Sequence, residues 1–180
     1  NWLSVEKTEE GLIISTGTNP DAGSRSATIT LKAGDGKANM AEVVITVSQS
    51  GFDFDAFIIG LEVSSKDLRA CLPFDKAINA TIDWGDGTVE ETTEAYPKHT
   101  YTDPDYYVVS VKGTVPSINC TGANQTSYNQ IYQYKEVFNW GRTGLKSVAN
   151  AFNGCSYLER IVTDQTEAFT DITDFSKAFY

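Results

Sequence analysis

Short stretches of period-two alternation run through this chain, and they confine it to strands that bury one face. In one of them Ala27, Ile29 and Leu31 share a side, with Thr28, Thr30 and Lys32 opposite. Leu12, Ile14 and Thr16 repeat the pattern before it, and Val43, Ile45 and Val47 alternate with Val44, Thr46 and Ser48 after it. Turn-forming clusters separate the stretches: Asn19-Pro20-Asp21-Ala22-Gly23 and Gly34-Asp35-Gly36. Alternation punctuated in this way predicts antiparallel strands in a sandwich. Thr, Ser, Asn, Asp and Gly are abundant and long Leu/Ala/Glu/Lys runs are missing, which favours strands and turns over helices.

Further along, Ala80, Ile82 and Trp84 lie on one strand face with Asp83 opposite. Gly85-Asp86-Gly87 then supplies a tight turn through positive φ before Thr88-Val89 resumes. His99-Thr100-Tyr101 precedes a Pro-bearing turn and a strand from Tyr106 to Lys112, with Tyr107, Val109 and Val111 on one face. Asp83 and Asp86 have two readings. Paired carboxylates can perform acid/base work or bind calcium, whereas Asp in a tight turn hydrogen-bonds its own backbone. The turn reading is preferred, because no calcium-loop spacing surrounds them. His99 is the only histidine and is read as structural, and Trp84 as core filling rather than sugar stacking.

In the last third, Leu145 to Phe152 echoes Ile172 to Phe179 at an offset of 27 residues. A period of about 20–29 residues with one apolar strand per turn is the pattern of a leucine-rich solenoid. Phe152 and Phe179 are expected as core rungs, Cys155 under a turn, and Leu158 and Ile161 on the strand face.

The net charge is −10, from 14 Lys plus Arg against 24 Asp plus Glu. An acidic surface repels phosphate backbones and anionic head groups, which argues against nucleic-acid and membrane-surface roles. No apolar run approaches the ~20 residues of a membrane span, so no membrane insertion is expected within this chain. Cys71, Cys120 and Cys155 cannot all pair, and no C-x-x-C spacing suggests zinc. They are read as reduced core residues, with one disulfide as the alternative. No metal or cofactor is expected.

Three resemblances organise these segments. Trp2-Leu3-Ser4-Val5, Gly11-Leu12-Ile13-Ile14, Arg25-Ser26-Ala27-Thr28-Ile29-Thr30 and the closing Val44-Ile45-Thr46-Val47-Ser48-Gln49-Ser50-Gly51 resemble the BACON domain. That is an immunoglobulin-like module of Bacteroidetes surface and secreted proteins. The resemblance implies a spacer or a carbohydrate- or mucin-binding module at residues 1–51. Trp84-Gly85-Asp86-Gly87-Thr88, then His99-Thr100-Tyr101, then the Tyr106 strand are similar to the PKD domain, another extracellular immunoglobulin-like sandwich, here at residues 52–118. Asp105 stands where that family often has Gly. Trp140-Gly141 and Ala151-Phe152-Asn153-Gly154-Cys155-Ser156-Tyr157-Leu158 resemble BspA-like leucine-rich repeats of bacterial surface proteins, assigning a repeat segment to residues 119–180.

The expected architecture is therefore mostly β: tandem immunoglobulin-like sandwich modules followed by a short leucine-rich-repeat-like solenoid. From Trp2 to Gly51 only about four strands can be found, against the seven of an ordinary immunoglobulin-type sandwich. The last repeat also has no successor to cover it. The chain is accordingly expected to be cut at both ends. Modules this small lean on their neighbours, so Val137, Phe138 and Leu145 are expected in one core shared by the second and third segments.

No nucleophile elbow, H-E-x-x-H, P-loop or His partner for Ser or Cys is present, so no catalytic residue is assigned and an enzyme is not expected. The expected function is a secreted or outer-surface adhesion or scaffold protein, its partner a host or bacterial surface protein or a glycan. The alternative is a carbohydrate- or mucin-binding module of a glycan-utilisation system. Sugar binding needs exposed, aligned aromatics, and the clustered candidates are Tyr128, Tyr132, Tyr134 and Trp140.

Overall fold

A computed structural model of the chain describes residues 2–9, 11–16, 24–34, 40–49, 51, 53–123, 131–162 and 166–180. The protein is mostly β and divides into two compact units, Asn1–Asp53 and Phe54–Tyr180.

The first unit holds two antiparallel hairpins. Strands β1 (Leu3–Lys7) and β2 (Leu12–Thr16) pair from Leu3↔Thr16 to Lys7↔Leu12. Their turn is closed by Thr8, whose N–H donates to Gly11 O at 2.8 Å and whose hydroxyl oxygen accepts the Gly11 N–H at 3.1 Å. Strands β3 (Arg25–Gly34) and β4 (Met40–Gln49) pair along their whole length, Arg25↔Gln49 to Gly34↔Met40. The alternation sets the faces of β3: Ile29 is buried and Ala27 and Leu31 half-buried, while Thr28, Thr30 and Lys32 are exposed. The Arg25 guanidinium lies 4.5 Å above the Trp2 ring, and its Nε donates to Gln49 Oε1 at 2.9 Å. The described strands number four, and they leave Val5, Ile13, Val43 and Val44 exposed. A two-stranded ribbon covers at most one of its faces, so neighbouring apolar positions on β4 cannot both be buried.

The second unit is built on a six-stranded sheet. Its strands are β5 (Phe57–Glu62), β7 (Asn79–Asp83), β8 (Val89–Thr92), β10 (Tyr106–Thr114), β11 (Tyr134–Asn139) and β12 (Arg160–Ile161). They lie in the order β12-β11-β5-β10-β7-β8. All neighbours are antiparallel except β11 and β12. A separate ribbon of β6 (Arg69–Cys71) and β9 (Lys98–Thr100) packs on the sheet. Ala70, Leu72 and Phe74 share its core with Ile59, Leu61, Ile82, Trp84, Val109 and Val111. Strand β5 is covered on both sides: Phe57, Ile59 and Leu61 face this core, and Tyr106 and Phe138 lie over Gly60 on the reverse.

The segment 119–180 does not stand apart. Strand β11 is hydrogen-bonded to β5, and Val137 and Leu145 enter the same core, as expected. Phe138 instead faces the other side, as alternation from inward-facing Val137 requires, while the register shifts between Tyr134 and Glu136 and between Val137 and Asn139 accompany the burial of both Tyr134 and Val137, three residues apart.

Among the described residues of this segment, the solenoid with its own strand per repeat that the sequence led us to expect is not shown. Isolated parallel bridges join Ser117 to Ser147 and Ser147 to Asp174. The N–H groups of Val148, Asn150, Phe152 and Gly154 donate to the carbonyls of Asp174, Ser176, Ala178 and Tyr180. The 27-residue echo thus survives as register, since Ser147 faces Asp174. The turn residues Asn150 (φ +56°) and Lys177 (φ +51°), at the same offset, share the left-handed conformation.

Candidate binding surface

The Trp84 turn folds as turn chemistry dictates. Gly85 and Gly87 take φ of +81° and +93°. Asp83 Oδ1 accepts the Gly85 N–H at 2.9 Å, and Asp86 Oδ1 accepts the Thr88 N–H at 2.9 Å. Trp84 is fully buried and Asp83 exposed. The His99 ring stacks on the indole at 4.9 Å, the Tyr101 hydroxyl donates to Trp84 O at 2.9 Å, and the indole N–H donates to Glu90 Oε1 at 3.0 Å. Burial pushes the Asp86 carboxyl up. The hydrogen bonds from His99 and Thr88 and the charge of His99 outweigh that and hold it below the usual carboxylate value. These contacts engage the turn, the indole and the ribbon with one another.

The four aromatic candidates separate. Tyr128 lies outside the described residues. Tyr134 and Trp140 are core residues, which corrects their assignment to an exposed cluster. The Tyr134 hydroxyl donates to Cys71 O, and burial pushes its pKa far up. The Trp140 indole N–H donates to Val162 O at 3.0 Å, and the ring packs edge-on against Phe57, Phe152 and Phe169. Buried Tyr and Trp need a partner for their polar tip, and both have one. Tyr132 is exposed, because the turn at residues 131–133 ends before β11 begins.

Tyr132 gains a companion that was read only as part of a repeat motif. The Tyr157 ring meets it edge to face at 5.9 Å, and both rings are about half exposed, at 52% and 54%. The parallel pairing Glu136↔Arg160 and the hydrogen bond from Glu159 N–H to Lys135 O (2.7 Å) carry the Tyr157 turn to the start of β11. Lys135 Nζ lies 5.1 Å from the Tyr157 ring centre, 2.7 Å from Glu62 and 3.5 Å from Glu159. The hydrogen bond that Lys135 donates to the Glu62 carboxylate chiefly raises the Lys135 pKa, so the ammonium stays charged. Beyond it, Arg160 pairs with Glu136 at 2.7 Å and lies over Phe138. The Tyr106 phenol is pushed up to about 12, first by burial and then by the charge of Glu136. Two exposed rings edged by fixed charges and carboxylate acceptors form a polar-aromatic patch. The only signal for it in the sequence was the 25-residue-distant Tyr157, which proximity along the chain could not connect to Tyr132.

Open clefts lie elsewhere in this unit. One, of about 510 Å³, is lined by Phe152, Cys155, Leu158, Ile161, Phe179 and Tyr180. Another, of about 270 Å³, lies between Gly141–Leu145 and Glu167–Asp171, beside the ion pairs Arg142–Glu167 and Lys146–Asp171. Among the described residues no group of three His, Cys, Asp or Glu side chains could hold a metal ion, and no helix is long and apolar enough to cross a membrane.

The family model described as "BACON: Putative binding domain, N-terminal" matches residues 1–50. No curated protein and no solved structure matches the chain.

Proposed function

We propose that this chain is a non-catalytic piece of a secreted or outer-surface-anchored protein that serves adhesion or scaffolding, of the kind found in Bacteroidetes. The N-terminal unit acts as a BACON-type spacer, residues 52–118 as a PKD-like module, and the C-terminal segment as the start of a BspA-like repeat that presents a protein-contact face. The family match at residues 1–50 supports a binding or scaffold role for the first unit. The observation that carries the rest is the parallel stacking of Ser117, Ser147 and Asp174, beside which Phe175 and Phe179 are both more than half exposed, Phe175 next to Phe169 and Phe179 on the lining of the larger cleft.

The full chain should therefore bind one or more purified host matrix proteins or mucins in surface plasmon resonance, and Phe175→Ser with Phe179→Ser should weaken that binding at least tenfold. It should release no product from a panel of glycans. Turnover of any of them, or binding insensitive to these two changes, would sink the reading.

A second reading, glycan recognition, is favoured by the Tyr132–Tyr157 pair with Lys135, Glu62 and Glu159 around it. Aromatic rings stack on sugar C–H faces while flanking charges bond hydroxyls. On a glycan array, Tyr132→Ala and Tyr157→Ala should each abolish retention that Phe179→Ser leaves intact. The two readings thus predict opposite variant patterns.

A further inference from the structure

Cys120 and Cys155 face one another inside the second unit, sulfur to sulfur at 3.2 Å, although they are 35 residues apart. Backbone bonds place both. Cys120, at the start of the short α1 (Cys120–Ala123), donates its N–H to Asn150 O at 3.0 Å. Cys155 ends the following turn, donating to Phe152 O at 3.1 Å. The Cys120 thiol donates to Ala151 O at 2.6 Å, and the Cys155 thiol donates to the Cys120 sulfur. Cys71 lies in β6, its sulfur 3.7 Å from both Leu72 O and Tyr96 O.

We propose that Cys120 and Cys155 are a covalent modification site: they form a disulfide when the chain folds in an oxidising compartment, and Cys71 keeps its thiol. A disulfide holds its sulfurs about 2.05 Å apart, so the pair must close by only about 1.1 Å, which small side-chain rotations supply. Both residues are buried. Burial, and then the Cys155 hydrogen bond, keep Cys120 protonated in the folded unit, and only a thiolate attacks a disulfide. Exchange therefore occurs before the Ala151–Cys155 turn closes over α1.

The oxidant is a small-molecule or protein disulfide, R–S–S–R. The Cys155 thiolate attacks one of its sulfurs, forming a mixed disulfide and expelling RS⁻. The Cys120 thiolate attacks the Cys155 sulfur, forming the Cys120–Cys155 bond and expelling the second RS⁻. Two electrons pass to the oxidant, and the protons lost by the two cysteines end on the released thiols. The new bond ties the Ser117 rung to the Ser147 rung of the stack.

The extracellular setting comes from the reading above, but the test supplies its own oxidant and so stands or falls separately. The full chain is refolded from denaturant in a glutathione/glutathione disulfide buffer, then alkylated under denaturing conditions and mapped without reduction. The expected product has lost two hydrogens, gives a cross-linked Cys120–Cys155 peptide, and alkylates once, at Cys71. Its thermal midpoint should exceed that of the reduced chain by about 5–15 °C, and Cys155→Ala should erase the difference. Cys71→Ala, which removes only the third thiol, must still give the cross-link. Three alkylated cysteines after refolding, or cross-links through Cys71, would overturn the proposal.

Discussion

His99 Nε2 lies 2.8 Å from Asp86 Oδ2, a contact that joins the tip of the Gly85–Gly87 turn to β9 across thirteen residues of sequence. The same imidazole is stacked flat on Trp84. A turn, a core indole and a strand of the separate ribbon are therefore held as one element.

Trp84→Ala should remove the centre of that element. Deleting a fully buried aromatic costs about 3–5 kcal/mol, and Trp84→Phe should cost less while still orphaning Glu90, which accepts the indole N–H. Urea unfolding followed by circular dichroism measures both. A loss below about 1 kcal/mol for the alanine variant would mean that the indole is not the keystone it is taken to be.

The Asp86 carboxyl has its pKa depressed in the folded state. Its contribution to stability is therefore present above the unfolded value of about 3.9 and is lost as pH falls through the lower folded value. Wild-type stability should decline more steeply below about pH 4 than that of Asp86→Asn. Urea midpoints measured across the acid range should show the two curves converging at the acid end. Parallel curves would contradict the assignment.

Two glycines of one loop should respond differently to alanine. At Gly141 (φ +69°) a methyl would stand 2.5 Å from Ala56 C and 2.7 Å from Asp55 O, whereas at Gly144 (φ +74°) nothing lies within 4 Å. Gly144→Ala should cost only the left-handed penalty of about 1–2 kcal/mol. Gly141→Ala should cost clearly more, because backbone must move. Thermal denaturation of the two variants gives the comparison, and equal losses would refute it.

Removing one oxygen separates the core tyrosine from the surface one. Tyr134→Phe leaves Cys71 O without its buried donor and should cost about 1–3 kcal/mol. Tyr132→Phe, at an exposed ring, should stay within about 0.5 kcal/mol of wild type. Chemical denaturation checks the pair. A neutral Tyr134→Phe would show that water reaches Cys71 O.

Where one face of a strand is buried and its register regular, the residues disclosed the fold. Ile29 on β3, Ala80 and Ile82 on β7 with Trp84 beyond its end, and Val109 and Val111 on β10 fell on the faces that alternation assigns them. Legibility ended where alternation did. The register shifts in β11 put Tyr134 and Val137, three residues apart, on the same inward face, which period two does not allow. The pairing of Tyr132 with Tyr157 depends on the parallel β11–β12 contact, a long-range event with no local signature. The 27-residue echo is visible as a period, but its physical content, hydrogen-bond register between two turns, is a long-range pairing that a period alone does not specify.

The position of β5 between β10 and β11 sets the order in which the second unit can be made. Ile59 pairs with Val109 on one side and Val137 on the other, so its flanking strands are both distant in sequence. Pairings of this kind incur loop-closure entropy before any contact rewards them, which slows folding. During synthesis β5 emerges before both partners and waits, apolar and with open edges, first for β10 and then for β11. In that interval the growing chain is at its most prone to aggregate.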